Sequence, residues 1–255
     1  MATQGPLLEA RRIVKRFGSV HALKGVDLSV DRGEVVALLG DNGAGKSTFV
    51  KTLAGVHAPD GGHILFDGRQ VSFKAPADAR AQGIETIYQD LALIETLDVA
   101  ANVFLGRELV RRVPGLSLGL VDRPHMRTET RRLLQGLGIH AAPGRVLVRA
   151  LSGGQRQAVA IARAIYWQAR LLIMDEPTAA LGVRERALVL SLVNRLREQG
   201  VAIIVVSHNL EEILPVADRI VVLRQGHKAG ERSARNVRVE EIVQLMLGGE
   251  VAAAS

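Results

Sequence analysis

The sequence predicts an α/β fold built on a parallel β-sheet, and three short aliphatic segments are the main evidence for it. These predicted strands are Val35–Leu39, Leu171–Met174 and Ala202–Val206. Each is an almost unbroken apolar run, as expected for a strand that is covered on both faces. Helical patterns alternate with them along the chain, which is typical of parallel strands joined by crossover helices.

The ends of these strands indicate where a ligand would bind. Each strand leads directly into a polar cluster, and the clusters are Gly40–Asn42, Asp175–Glu176 and Ser207–His208. In open parallel sheets, ligands bind beyond the carboxyl ends of the strands. We therefore expect the three clusters to meet at one site.

Two helices are predicted next to this sheet. One runs from Lys46 to Val56, directly after the first polar cluster. The other covers Arg184–Gln199, where leucines recur at four-residue spacing between charged residues. Gly200 is expected to end the second helix, because glycine readily adopts the left-handed conformation found after helices.

Two further regions lie outside the parallel pattern. Alternating residues in Leu8–Val30 predict antiparallel strands near the N-terminus, with turns expected at Gly33 and at the pair Gly61-Gly62. Strand patterns are scarce between about residues 92 and 164, which predicts a mostly helical subdomain. The fold class is thus a parallel core with an antiparallel β-subdomain and a helical subdomain.

Composition limits the class of protein. The 255 residues suit one domain with appended subdomains, and the 47% hydrophobic content supplies a core that must be aliphatic, because only 3% is aromatic. The sequence has no cysteine, which excludes disulfides and cysteine–zinc sites. Apolar runs are far shorter than a membrane-spanning helix needs, and Met1–Arg12 has no apolar signal segment, so a cytoplasmic location is expected.

The formal charge of +7 allows two interpretations. One is affinity for nucleic acid or for an anionic membrane surface. The other is a dispersed, solvated basic surface. We favour the second and expect no nucleic-acid partner, because basic residues are not clustered with aromatic ones along the chain.

The segment after the first strand matches a phosphate-binding P-loop. Its residues are Gly40, Asp41, Asn42, Gly43, Ala44, Gly45, Lys46 and Ser47. Glycines allow successive backbone N–H groups to face a phosphate at the start of a helix. Lys46 would contact the β- and γ-phosphates, and the Ser47 hydroxyl would bind Mg²⁺. A chance match is improbable in the predicted strand–loop–helix context.

Two more segments carry candidate site residues. Asp175 suits Mg²⁺ binding and Glu176 suits a general base, although a solvated acidic turn is the alternative when this segment is considered alone. Ser152, Gly153 and Gly154 open a predicted helix and could bind a second anion. In isolation, a plain helix cap is the more common role for such a serine.

Together these segments resemble ABC-type ATPases. Gly40–Thr48, Leu151–Gln157 and Leu171–Pro177 look like the Walker A, signature and Walker B segments of that family, in the same order. The resemblance covers residues 7–249 and implies a P-loop NTPase fold with a RecA-like core. It also implies an enzyme that hydrolyses ATP with Mg²⁺, and the Walker A and signature segments would lie on opposite lobes.

Smaller features agree with this family. Phe17 occupies the place of the aromatic residue that stacks on adenine, although a core role is the alternative. Gln89 matches the Q-loop, Thr178–Leu181 the D-loop, and His208 the switch histidine that holds the γ-phosphate. By resemblance the catalytic residues are Glu176, His208 and Gln89, and Mg²⁺ is bound by Ser47, Gln89 and Asp175. The nucleotide-binding residues are Phe17, Gly40, Asp41, Asn42, Gly43, Ala44, Gly45, Lys46, Ser47, Thr48, Ser152, Gly153, Gly154 and Gln155.

The sequence departs from the family at Gly182, where many relatives place Asp after the D-loop leucine. This puts one polar contact across the dimer in doubt. A finer resemblance connects Ile87–Asp90, Asn102–Glu108 and Pro177–Gly182 with ATPases of bacterial pentose and hexose importers. Many of those ATPases are two fused copies, whereas this sequence has one P-loop and one signature.

The resemblance implies a peripheral subunit on the cytoplasmic face of the bacterial inner membrane. It would form a head-to-tail homodimer below permease subunits, which receive a sugar from a periplasmic binding protein. A soluble ABC ATPase acting on DNA or ribosomes is the first alternative. A nucleotide-binding regulatory module without turnover is the second, which Lys46, Asp175, Glu176 and His208 together disfavour.

Overall fold

The computed structural model describes residues 5–112, 119–139 and 146–248 of the chain. Gly249, the last residue of the predicted domain, lies outside the described residues, as do 113–118 and 140–145 of the predicted helical subdomain. The described residues form two compact units. The first contains residues 5–89, 169–177 and 193–248, and the second contains the described parts of 90–168 together with 178–192.

The strands are short and their bounds follow in chain order. They are β1 (Leu8–Phe17), β2 (Val20–Val30), β3 (Val35–Leu39), β4 (Gly61–Phe66), β5 (Arg69–Val71), β6 (Ile84–Ile87), β7 (Val110–Arg112), β8 (Gly119–Val121), β9 (Leu171–Asp175), β10 (Ala202–Val206), β11 (Arg219–Arg224) and β12 (His227–Ser233). The helices are α1 (Lys46–Leu53), α2 (Pro76–Ala81), α3 (Val99–Val103), α4 (Arg123–Gly136), α5 (Gly153–Tyr166), α6 (Val183–Glu198), α7 (Leu210–Ile213) and α8 (Val239–Leu247).

A six-stranded sheet forms the centre of the first unit. Its order is β12-β11-β3-β10-β9-β6, and the five strands from β11 to β6 are parallel. Every residue of β3 and β10 is buried, which explains why their apolar runs carry no alternation. The predicted strands and the predicted α/β fold class are confirmed, with Asp175 added to the end of β9.

The N-terminal antiparallel strands are also confirmed, as part of a four-stranded sheet in the order β2-β1-β4-β5. Gly33 lies in a turn, as predicted. The turn predicted at Gly61-Gly62 is wrong, because these glycines begin β4. A Cβ on Gly62 would lie only 2.3 Å from the Arg12 carbonyl oxygen, so this glycine permits a close approach of two strands at an irregular pairing.

Both predicted helices of the sequence are present with small changes at their ends. Helix α1 ends at Leu53 rather than Val56, because Gly55 adopts a φ of 73° that does not continue a helix. Helix α6 runs from Val183 to Glu198, and Gly200 follows it with a φ of 84°. The prediction for Gly200 is therefore confirmed.

The second unit is mainly helical, with α3, α4 and α5 packed against one another. Phe104 contacts Tyr166 and Trp167 in edge-on aromatic pairs and forms part of its core. The unit also contains a small antiparallel hairpin, β7 with β8, which the sequence pattern did not predict. Across both units, the described residues contain no helix long and apolar enough to span a membrane.

Candidate functional site

Most of the predicted site lies at the carboxyl-terminal ends of the parallel strands in the six-stranded sheet. The register pairs Val206 of β10 with both Leu38 of β3 and Asp175 of β9, and it pairs Met174 of β9 with Ile87 of β6. The carboxyl ends of the four strands therefore lie side by side. The structure places the three polar clusters, together with the loop that contains Gln89, at this edge.

The P-loop depends on glycine at two positions of tight packing. Gly40 has a φ of 150°, and a Cβ there would lie 2.3 Å from the Leu223 carbonyl oxygen. Gly45 has a φ of 103°, and a Cβ there would lie 2.8 Å from the Ala22 carbonyl oxygen. Helix α1 begins at the next residue, so its first N–H groups have no partner within the helix and are available to an anion.

The Lys46 side chain contacts the backbone of the P-loop. Its side chain is buried, and its Nζ donates hydrogen bonds to the carbonyl oxygens of Gly40 at 2.5 Å and Asp41 at 3.1 Å. Burial lowers the pKa of Lys46, while the nearby charges of Glu176 and Asp175 oppose that shift. The Lys46 Nζ is therefore held against the backbone of its own loop.

The two carboxylates after β9 have different surroundings. Burial raises the pKa of Asp175, and the charge of Glu176 raises it further, although Lys46 opposes both effects. Glu176 has a φ of 52°, which is a strained conformation for this residue type. Its backbone N–H donates to the Val206 carbonyl oxygen at 2.9 Å, which holds the turn in place.

His208 lies beside Glu176. Its Nδ1 is 2.8 Å from Glu176 Oε1, although the two residues are 32 positions apart in sequence. Because a carboxylate accepts hydrogen bonds, Nδ1 carries the proton in this pair. The His208 side chain is 68% exposed, so little restricts its movement towards a ligand at the edge of the sheet.

Tyr88 and Gln89 lie in the loop after β6. Tyr88 is half-buried, and its pKa is raised by burial and by the charge of Asp175. Gln89 follows it and is exposed at the same end of the sheet.

An open groove of about 670 Å³ lies over the P-loop and is lined partly by Phe17 and Val20. This volume is ordinary for a small-molecule site. Phe17 is 44% exposed, and its ring contacts the ring of His57 at 5.2 Å between centroids. Lys15 Nζ lies 5.6 Å from the same ring. The alternative of a core role for Phe17 is therefore wrong.

The signature segment belongs to the second unit. Ser152 caps helix α5, since its Oγ accepts from the Gln155 backbone N–H at 3.4 Å and its own N–H donates to Gln155 Oε1 at 3.0 Å. This reciprocal pair is a capping box, so the helix-cap role considered for Ser152 is present. Gly153 and Gly154 follow in the first turn of the helix.

Glu185, which the sequence did not identify, lies against these residues. Its Oε1 accepts from the Gly154 N–H at 3.3 Å, and its Oε2 accepts from the Gly182 N–H at 3.2 Å. The nearby Ser152 side chain and the N–H groups of Gly182, Gly154 and Gly153 lower the pKa of Glu185. The only signal in the sequence was an acidic residue in the first turn of α6.

Comparisons with other proteins agree with this geometry. A family model described as ABC transporter matches residues 23–179. A xylose/arabinose import ATP-binding protein of Sulfolobus acidocaldarius is 47% identical over 94% of this chain and 93% of its own length. A fructose import ATP-binding protein of Rhizobium meliloti is 42% identical over 97% and 96%. A ribose import ATP-binding protein of Rubrobacter xylanophilus is 48% identical, but this chain spans only 48% of it.

Solved structures give the same result for the fold. A nucleotide-free ATP-binding cassette from an ABC transporter superposes with a TM-score of 0.81 at 25% identity, covering 96% of both chains. A dimeric cassette bound to ADP and Pi gives a TM-score of 0.74 at 25% identity, covering 90% of this chain and all of that one. This chain belongs to the ABC transporter family and has the fold of its ATP-binding cassettes.

Proposed function

We propose that this chain binds and hydrolyses ATP and that this reaction drives a membrane importer for a pentose or hexose sugar. The observation that carries the proposal is the convergence of Lys46, Asp175, Glu176 and His208 at one edge of the sheet. A regulatory module without turnover would not need a carboxylate base beside a phosphate-binding loop. Residues 7–249 are proposed to form the ATP-binding domain, with the helical subdomain at about 92–164.

The residues present fit a nucleoside triphosphate. Side chains would not fit at Gly40 and Gly45 of the P-loop, and the first N–H groups of helix α1 and the Lys46 ammonium are donors only. The Lys46 ammonium would exchange its two carbonyl contacts for β- and γ-phosphate oxygens. Phe17 is exposed at the rim of the same groove, where its ring is available to stack on adenine.

Three oxygen-bearing side chains supply a donor set for Mg²⁺. They are the Ser47 hydroxyl, the Gln89 amide and the Asp175 carboxylate, which are hard ligands of the kind this ion prefers. Mg²⁺ bound there would offset the negative charge of the phosphates. The raised pKa of Asp175 results partly from repulsion by Glu176, so a bound cation is the natural partner for this pair of carboxylates.

Glu176 is proposed as the general base that accepts a proton from the attacking water. His208 holds Glu176 through Nδ1 and would hold the γ-phosphate through its other ring nitrogen. The strained backbone at Glu176 is consistent with a position selected for chemistry rather than for stability.

The full site is proposed to need two copies of the chain. The P-loop belongs to the first unit and the signature to the second, as the resemblance implies for opposite lobes. In a head-to-tail homodimer, Lys46 of one copy and Ser152 of the other would contact the same γ-phosphate, which gives two equivalent sites. The dimeric cassette with ADP and Pi supports association of two copies.

The shared site can be tested with two inactive variants, Lys46→Ala and Ser152→Arg, each combined with Glu176→Gln to prevent turnover. Lys46→Ala should not bind ATP, and Ser152→Arg should bind ATP without closing over it. Neither should dimerise alone. Mixed dimers have one site with both halves intact, so ATP should produce a dimer only in the mixture, as measured by sedimentation velocity. An ATP-dependent dimer of either variant alone would contradict the shared-site proposal.

The importer role is proposed from the relatives, whose names describe import of xylose/arabinose, fructose and ribose. The implied partners are permease subunits and, through them, a periplasmic substrate-binding protein, with this chain peripheral on the cytoplasmic face of the membrane. Deleting the gene should abolish growth when one particular pentose or hexose is the sole carbon source and should leave growth on other sugars unaffected. Normal growth on every sugar, or co-purification with ribosomes or DNA instead of a permease, would favour a soluble ABC ATPase.

A further inference from the structure

The carboxylate of Glu185 already occupies the anion-binding groups of the signature segment. It accepts hydrogen bonds from the N–H groups of Gly154 at 3.3 Å and Gly182 at 3.2 Å, and the Ser152 hydroxyl and the Gly153 N–H are donors close enough to lower its pKa. Three of these four donors belong to the signature itself. Glu185 therefore connects the start of α6 to the start of α5 within the second unit.

The same donors have a second use under the proposed function, on which this inference rests. The γ-phosphate bound by the partner copy would also need the Ser152 hydroxyl and the signature N–H groups. A serine hydroxyl has one proton, and it can donate that proton to only one acceptor at a time. A carboxylate and a phosphoryl oxygen also carry like charges, so the two anions would repel each other if both approached the same donors.

The packing shows that the contact is close. A Cβ on Gly154 would lie 2.9 Å from the Glu185 Cβ, and a Cβ on Gly153 would lie 3.6 Å from Glu185 Oε2. The absence of side chains at Gly153 and Gly154 therefore allows the Glu185 side chain to pack against the start of α5. Glu185 is only partly buried, which leaves its carboxylate a route into solvent.

We propose that Glu185 is a positioning residue that holds the signature as an internal anion and that an incoming γ-phosphate displaces it. Its carboxylate keeps the signature helix capped and ordered in the single copy. Exchange of that carboxylate for phosphate is then a step in closing the two-copy site. The step sets the ATP concentration at which two copies associate and has no effect on ATP binding by the P-loop alone.

The test uses the full chain with Glu176→Gln, so that ATP is not consumed. Glu185→Gln keeps the shape of the side chain and an acceptor oxygen for the helix cap but removes the charge. Glu198→Gln removes the same charge from an exposed position on the same helix and serves as the matched control. Sedimentation velocity across an MgATP titration gives the ATP concentration for half-maximal dimer formation. A fluorescent ATP analogue gives the affinity of the dilute monomer.

Glu185→Gln should lower the half-maximal ATP concentration about three- to tenfold, because a charged acceptor is held roughly twice as strongly as a neutral one. Monomer affinity should be unchanged, and Glu198→Gln should match the parent in both measurements. An unchanged or raised half-maximal concentration for Glu185→Gln would overturn the inference while leaving the proposed function intact. A failure of every protein to dimerise at saturating ATP would overturn the proposed function and this inference with it.

If Glu185→Gln does not fold, Glu185→Asp replaces it in the same titrations. The aspartate side chain is shorter by one methylene group, so its carboxylate would lie farther from Gly154. Glu185→Asp should therefore lower the half-maximal ATP concentration by a smaller factor than Glu185→Gln. No change with Glu185→Asp would then overturn the inference.

Discussion

The two units of this chain hold the groups that we propose to bind phosphate in opposite ways. In the first unit, the Lys46 ammonium is held by the neutral carbonyl oxygens of Gly40 and Asp41. In the second unit, the Ser152 hydroxyl and its neighbouring N–H groups are held by the Glu185 carboxylate. One set of groups is paired with dipoles, and the other is paired with a full negative charge.

This difference predicts the order of nucleotide binding and closure of the two-copy site. Under the proposed function, a phosphate would replace a carbonyl oxygen on Lys46 without meeting a like charge, so we expect the first unit to bind nucleotide as a single copy. The signature would exchange one anion for another, which costs more free energy and requires the partner copy. We therefore expect nucleotide binding to come first and closure of the two-copy site to be the step on which control acts.

The largest expected effect concerns Glu176, the proposed general base, which lies in the first unit. Glu176→Gln should cut ATP turnover by roughly 10²-fold or more, because the general base is lost, while leaving nucleotide binding intact. ATP should then trap a dimer that size-exclusion chromatography resolves. Near-normal phosphate release from the variant would remove Glu176 from the mechanism, and Glu198→Gln, exposed at the end of α6, is its control.

Substitutions in the two units should have different effects on nucleotide binding. Lys46→Ala should weaken binding of a fluorescent ATP analogue by at least about tenfold, since a charge-assisted contact to phosphate is lost. Ser152→Arg should bind the analogue normally and still show no turnover. Lys74→Ala, exposed elsewhere in the first unit, is the control. Equal loss of analogue binding in both variants would remove the distinction between the units.

Much of this comparison was predictable from the sequence for definite physical reasons. β3 and β10 were predicted with correct bounds, because strands buried on both faces leave uninterrupted apolar runs. The P-loop, the carboxylates after β9 and His208 were predicted because each follows such a strand at the same edge of the sheet. The site residues followed from the ends of elements rather than from their interiors.

The features that were missed depend on contacts between distant segments. The pair Gly61-Gly62 was interpreted as a turn, because glycine marks close backbone approach as well as chain reversal. The β7–β8 hairpin has strands of three residues, too short to show periodicity. Glu185 lies 31 positions from Gly154, and nothing local distinguishes it from an ordinary acidic residue in a first helical turn.

A moderate effect is expected at the rim of the first unit. Phe17→Ala should weaken nucleotide affinity by about 0.5–1.5 kcal/mol, the range for one aromatic stacking contact. Because Phe17 is 44% exposed and lies outside the core, its loss should leave the melting temperature nearly unchanged. Titration with a fluorescent ATP analogue measures the first quantity, and calorimetry measures the second. A lower melting temperature with unchanged affinity would mean that the ring is structural.

The smallest expected effect concerns Gly182, the residue at which the sequence departs from the resemblance to the D-loop. A Cβ built on Gly182 lies 4.0 Å from Glu185 Oε2, so Gly182→Asp would place a second carboxylate beside the first. Like charges at this distance repel, and the repulsion should loosen Glu185 from the signature. In the Glu176→Gln protein, the ATP concentration for half-maximal dimer formation should fall about two- to threefold.

Gly182→Asn is the matched control for that prediction, because asparagine has nearly the same shape and also caps helices well but carries no charge. It should leave the half-maximal concentration where it is in the parent. If asparagine and aspartate shift dimer formation equally, the effect comes from capping α6 rather than from charge. The glycine would then have no bearing on the anion held by the second unit, and the contrast between the two units would rest on Glu185 alone.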